Sequence, residues 1–122
     1  MIKETELTQS DLDQFTGTEQ YYRHTFGGKY TDGVRYLAKT AGAYWLIDAI
    51  FSHQCTPKIM AVPFQVWKLQ KYAWKDYQWV LTMREDKDAP RLVTQWIEYS
   101  DFPLDSVELW LIDGILILPS EY

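Results

Sequence analysis

A single cysteine, Cys55, stands in the 122 residues of this chain, so no internal disulfide holds it together and a stapled secreted scaffold is excluded. No apolar run follows a basic start at the N-terminus. A signal peptide is therefore not expected, and a reducing cytoplasm is the expected compartment. The most apolar stretch, AYWLIDAIFSHQ from Ala43 to Gln54, is well short of the ~20 residues of a membrane helix, so no membrane partner is expected. Paired metal-ligand spacings of the C-x-x-C or H-x-x-x-H kind do not occur, nor do P-loop, GxGxxG, GxSxG or HExxH patterns. That leaves no metal site, no cofactor and no catalytic residue to name.

Basic side chains are also missing from the last quarter of the chain. Residues 92–122 hold six acidic and no basic side chains, whereas residues 58–91 hold seven basic and four acidic, and residues 1–57 five basic and seven acidic. The formal net charge of −5 works against a general affinity for phosphate backbones, which rests on Lys and Arg displacing counterions, so nucleic acid is not the expected partner. What the chain has in plenty is aromatic side chains. Six Trp, nine Tyr and five Phe bury large areas at low entropy cost, enough for one core and one domain spanning residues 1–122.

The local patterns change character midway. Thr8 with Asp11 forms a capping-box pattern for a short first helix, with Leu7 and Leu12 as a hydrophobic staple. TEQYYRH, residues 18–24, reads as a strand, broken by Gly27 and Gly28. Thr31 then caps DGVRYLAKTA, whose apolar Val34, Leu37, Ala38 and Ala41 recur at helical spacing. Gly42 is the expected break before the stretch from Ala43 to Gln54, read as a buried central helix because it is apolar nearly all round, with Asp48 and Ser52 as its inward polar residues. Pro57 stops it. FQVWKLQKY (64–72), YQWVLTMRE (77–85) and RLVTQWIEY (91–99) read as successive antiparallel strands, with Tyr77, Trp79, Leu81 and Met83 on one face. Asp113-Gly114 sits between two alternating apolar runs as a hairpin turn. The expected fold is α+β, with two to three N-terminal helices, one of them buried, packed on one face of an antiparallel β-meander sheet.

The phrases TDGVRYLAKTAGAYWLIDAI and DFPLDS, with LPSEY at the end of the chain, resemble those of a family of small bacterial proteins classed only as a domain of unknown function, found in bacterial and in phage or mobile-element genomes. The resemblance runs from Leu7 to Tyr122 and implies no activity.

Two places carry candidate chemistry. Asp48 among apolar neighbours is costly to bury unless it is hydrogen-bonded. Its functional reading is an acid or base at a small-molecule or enzymatic site, and its ordinary reading is a structural acid held by backbone N–H groups, a ring or Arg35. His53 is five residues on and does not face it on a helix. Cys55 reads as a small buried hydrophobe at a helix end. The second place is WKLQKYAWKDYQW, residues 67–79, which interleaves Trp67 and Trp74 with Lys71 and Lys75. Such a hairpin can stack unpaired bases, but its ordinary reading is a core face backed by solvated lysines. Trp74, in the turn, is expected to be partly exposed and to serve as a binding anchor. The expected function is a non-enzymatic protein-interaction module, docking another protein or its own copy as a homodimer. Single-stranded nucleic-acid binding by the 67–79 hairpin and a site around Asp48 are the alternatives.

Overall fold

The computed structural model describes residues 7–18 and 20–122. Thr8 and Asp11 make both reciprocal bonds of a capping box at the start of α1 (Gln9–Asp13), with Leu7 and Leu12 buried beside it. β1 (Tyr21–Arg23) and β2 (Lys29–Thr31) pair antiparallel. The Thr31 hydroxyl then accepts the Val34 N–H and opens α2 (Asp32–Ala41). Gly42 closes that helix in the left-handed region at φ 64°, a conformation in which a side chain is strained. The axis breaks there, and α3 (Tyr44–His53) follows.

α3 differs from the expected all-buried helix. Leu46, Ile47, Ile50 and Phe51 are buried, while Asp48 and Ser52 lie on its exposed face. The sheet covers α3 from one side only, so the polar positions turn to water instead of inward. Pro57 ends nothing further along; it occupies the first turn of a fourth helix, α4 (Pro57–Met60), where its missing N–H costs no hydrogen bond. Among the described residues, four helices therefore stand where two to three were expected.

β3 (Phe64–Trp74), β4 (Tyr77–Arg84), β5 (Arg91–Ile97), β6 (Ser106–Ile112) and β7 (Ile115–Ile117) complete the sheet, followed by a 3₁₀ turn, Pro119–Glu121. The strand order is β1-β2-β7-β6-β3-β4-β5, and every pair is antiparallel except β2 with β7. The late strands are thus not a simple meander. β6 returns past the β3–β4 hairpin to pair with the far side of β3, its approach held where the Lys71 N–H donates to the Asp105 carbonyl at 2.8 Å. Burial explains the exchange. β6 alternates strictly, with Val107, Leu109 and Leu111 buried, whereas β5 has no fully buried residue. The more apolar strand takes the covered centre and the more polar one the edge.

One face of the sheet joins the helices in a single core, with Trp67, Leu69, Leu81 and Leu109 against Leu37, Ile47 and Ile50. On the opposite face, two adjoining hollows of about 390 and 270 Å³ are lined wholly by β3 to β6 and the β4–β5 loop. No helix residue lines either.

The β6–β7 turn holds Asp113 at φ 52° and Gly114 at φ 83°, the left-handed pair of a tight hairpin. Gly114→Val is expected to lower stability by about 1–3 kcal/mol, and Gly114→Asn by less, because Asn tolerates φ > 0. Thermal unfolding of the two variants checks this, and an unchanged midpoint for the valine variant is the contrary result.

Candidate functional site

The hairpin of β3 and β4 closes through Lys75 and Asp76, with Lys75 at φ 55°. Between Lys71 and Trp74 the register slips by a β-bulge, which twists the strand end and re-aims its side chains. As a result the rings of Tyr72, Trp74, Tyr77 and Trp96 meet: Trp74 and Trp96 at 4.6 Å between centroids, Tyr72 and Tyr77 each 6.0 Å from Trp96, and Trp74 and Tyr77 at 6.2 Å. The Lys75 ammonium sits 4.5 Å over the Trp74 ring. Trp74 is 42% exposed and Tyr72 56%. This cluster lies outside the helix-backed core, at one end of the helix-free face.

Period-2 spacing places Tyr77 with Trp79, Leu81 and Met83, yet only the last three are core residues, and the Tyr77 ring lies in the outer cluster against Trp74 and Trp96. Trp67 is likewise not available for binding. It is 1% exposed, its indole N–H donates to Gln65 Oε1 at 2.9 Å, and His53 packs against it at 5.4 Å. Lys71 is exposed but pairs across from core-facing Trp79 and does not line either hollow. Of the four hairpin residues singled out by the sequence, the structure groups Trp74 and Lys75.

Lys68 belongs to the hairpin's own lysines, on β3, and the cations that sequence reading missed, Arg84, Lys87 and Arg91, come from β4, β5 and their loop. Lys68, Arg84, Lys87 and Arg91 line the second hollow around Thr82 and Glu108. Glu108 accepts the Trp110 indole N–H at 2.7 Å. Among the described residues no salt bridge holds any of the four cations. Gln70 and Arg91 line both hollows, so the ring cluster and the cations share one continuous surface. Pairing β5 against β4 across the polar loop 86–90 sets Trp96 opposite Val80, a register that two adjacent strands and a short loop already imply.

Asp48 reaches the surface, not the core. Its carboxylate, 66% exposed, lies 2.7 Å from His24 Nε2, while Arg35 instead sits 4.9 Å over the Tyr22 ring. His24 Nδ1 accepts the Phe26 N–H at 3.0 Å, so Nε2 carries the proton and donates to Asp48. Both nitrogens are occupied. The pair pins the β1–β2 turn onto α3, with the imidazole stacked on Phe51 at 4.6 Å. His53 Nε2 pairs with Gln95 Oε1 at 2.7 Å. Cys55 is exposed, contrary to a buried reading, because α3 ends before it and the chain turns outward into α4.

A third cavity, about 600 Å³, opens between Phe26, Phe51, Met60 and Leu111, with Gln54 and Asp113 at its polar side. Among the described residues no group of three His, Cys, Asp or Glu side chains is placed to hold a metal ion, and no helix is long and apolar enough to cross a membrane.

At the far end of the chain, Glu121 reaches the N-terminus of α2. Its carboxylate accepts the Thr31 hydroxyl at 2.6 Å, the Leu118 N–H at 2.9 Å and the Gly33 N–H at 3.2 Å. Burial raises its pKa above the ordinary 4.5, against the opposing pull of those hydrogen bonds.

With the geometry known, relatives can be placed beside it. A family model matches residues 6–122. The chain belongs to the family of unknown function DUF6876. Neither the curated proteins nor the solved structures compared with it give a match. DUF6876 membership thus brings no site residues with it, and the LPSEY and TDGV segments meet where Glu121 contacts Thr31 and Gly33.

A carboxyl with a raised folded-state pKa binds its proton more tightly when folded, so its contribution is full below about pH 4.5 and is lost as pH rises through the folded value. In Glu121→Gln that slope disappears. The stability difference between wild type and variant is therefore expected to shift against wild type as pH rises from about 4.5 toward neutrality, as urea titrations across that window would read. Asp48→Ala removes one hydrogen bond at an exposed carboxylate and should cost only about 0.5–1 kcal/mol. A loss above about 2 kcal/mol in the same titration would mean that the pair anchors more than one turn.

Proposed function

We propose that this DUF6876 protein is a non-enzymatic binding module whose working surface is the helix-free face over β3, β4 and β5. The observation that carries this reading is the cluster of Tyr72, Trp74, Tyr77 and Trp96, gathered by the bulge and left half open to solvent. Rings placed outside the core add little to folding. Exposed Trp and Tyr are the residues that most often anchor a partner.

Proton-transfer chemistry has less support. His24 has both nitrogens engaged, His53 is tied to Gln95, and Asp48 is held at the surface. These groups fasten elements together. Binding is the role that the remaining surface serves, and a small binding module suits the bacterial and mobile-element setting that the sequence phrases suggest.

The test is affinity capture from a bacterial lysate with protein and nucleic acid both quantified. It uses wild type, Trp74→Ala with Trp96→Ala, and a control variant on the third cavity, Met60→Ala. Capture is expected to fall about ten- to thirty-fold in the ring variant, the size of a hot-spot loss, and to persist in the control. Melting temperatures confirm that each variant folds. Equal capture by a folded ring variant, or a loss confined to Met60→Ala, would place the working surface elsewhere.

A further inference from the structure

Taking that face as the working surface, we infer that its ligand is single-stranded nucleic acid, with bases stacked on Trp74, Trp96 and Tyr72 and phosphates led along Lys68, Arg84, Lys87 and Arg91. The net charge of the chain argues the other way, and the placement of the acids answers it. Of the six acidic residues in 92–122, Glu108 alone lines the hollows. Glu121 is folded onto α2, and Asp113 is in the β6–β7 turn. The second hollow therefore presents Lys68, Arg84, Lys87 and Arg91 against one carboxylate, which already accepts the Trp110 N–H.

Four cations gathered on one face, with no salt bridge to any of them among the described residues, repel one another, and an anionic chain relieves that repulsion. An acidic peptide would satisfy the charge but leave the rings unused. A duplex hides its bases from a sheet that can offer ring faces only to unpaired ones. The two features adjoin at Gln70 and Arg91, so stacking and charge act on one strand of ligand. The hollow between Tyr72, Trp74 and Trp96, about 390 Å³, has the size of an ordinary ligand pocket. Lys75 lies over Trp74 on a flexible stem. An incoming base takes its place on the ring, and the ammonium moves to the adjoining phosphate. Glu85, Asp86 and Asp88 flank Lys87 outside the hollow, and within a Debye length they hold the affinity to the micromolar range.

The measurement is fluorescence anisotropy with labelled single-stranded DNA and RNA of about fifteen nucleotides, a length that matches the site of one sheet domain. A duplex and polyglutamate serve as competitors. Dissociation constants of about 1–10 μM at ~0.1 M salt are expected, with a log–log salt slope of about −2 to −3 for three to four phosphates. Trp96→Ala should weaken binding about five- to a hundred-fold. Lys68→Gln and Arg91→Gln, both surface changes, should each flatten the slope by about 0.7. No saturable oligonucleotide binding would overturn the inference, as would binding indifferent to all three variants. Polyglutamate competing as well as the oligonucleotide would overturn it in favour of an acidic protein. If oligonucleotides fail while the ring variant still loses a captured protein, the ligand is wrong and the face is right. If neither is affected, both fall.

Discussion

The carboxylate of Glu121 at the start of α2 is the contact on which the arrangement of the remaining elements turns. It takes hydrogen bonds from the Thr31 hydroxyl, the Gly33 N–H and the Leu118 N–H, groups separated by most of the chain. The Gly33 N–H is an orphan donor of the α2 N-terminus, where a negative charge is favoured. The contact needs Gly33, since a Cβ there would stand 2.7 Å from the carboxyl carbon. It is helped by β2 lying beside β7, the parallel pair among the described strands, which brings the start of α2 near the last strand. Yet burial raises the Glu121 pKa despite four donors, the Thr18 hydroxyl at 3.4 Å being the fourth. The contact fixes where the end of the chain sits against the start of α2.

How much of this was legible depended on the range of the interaction. The capping box at Thr8 and Asp11, the Thr31 cap, the Gly42 break and the Asp113-Gly114 turn each rest on neighbours within four residues, and all are present in the structure. The order of the strands rests on competition for the covered centre of the sheet. That contest is decided by all strands at once, so β6 displaced β5 from the place that chain order suggests. The burial of α3 failed for a related reason. An apolar circumference shows that a helix can be covered all round, but only neighbours decide whether it is, and here Asp48 found His24 at the surface.

The candidate surface was half legible. Trp74 and Lys75 are adjacent in a turn and were visible as an exposed pair, whereas Trp67, in the same aromatic run, faces the core by strand alternation. Three of the four cations lie outside the 67–79 run. Arg84, Lys87 and Arg91 are distributed over the end of β4, a loop and the start of β5, and no window of sequence shows that they converge on Lys68.

Charge segregation in this chain is therefore spatial before it is sequential. The acidic C-terminal quarter supplies β6, which runs beside β3 through the middle of the sheet and shows Glu108 on the helix-free face. Its other acids are spent at turns and at the α2 N-terminus, where they meet backbone donors or water. Coulomb interactions between exposed charges fade over about 10 Å at ~0.1 M salt. A partner at the β3–β5 surface therefore responds mainly to the charges that line it, and the net charge of the whole chain governs solubility and long-range approach instead. The same fold can carry an overall negative charge and one locally cationic, ring-lined face, and it is the local term that sets what binds there.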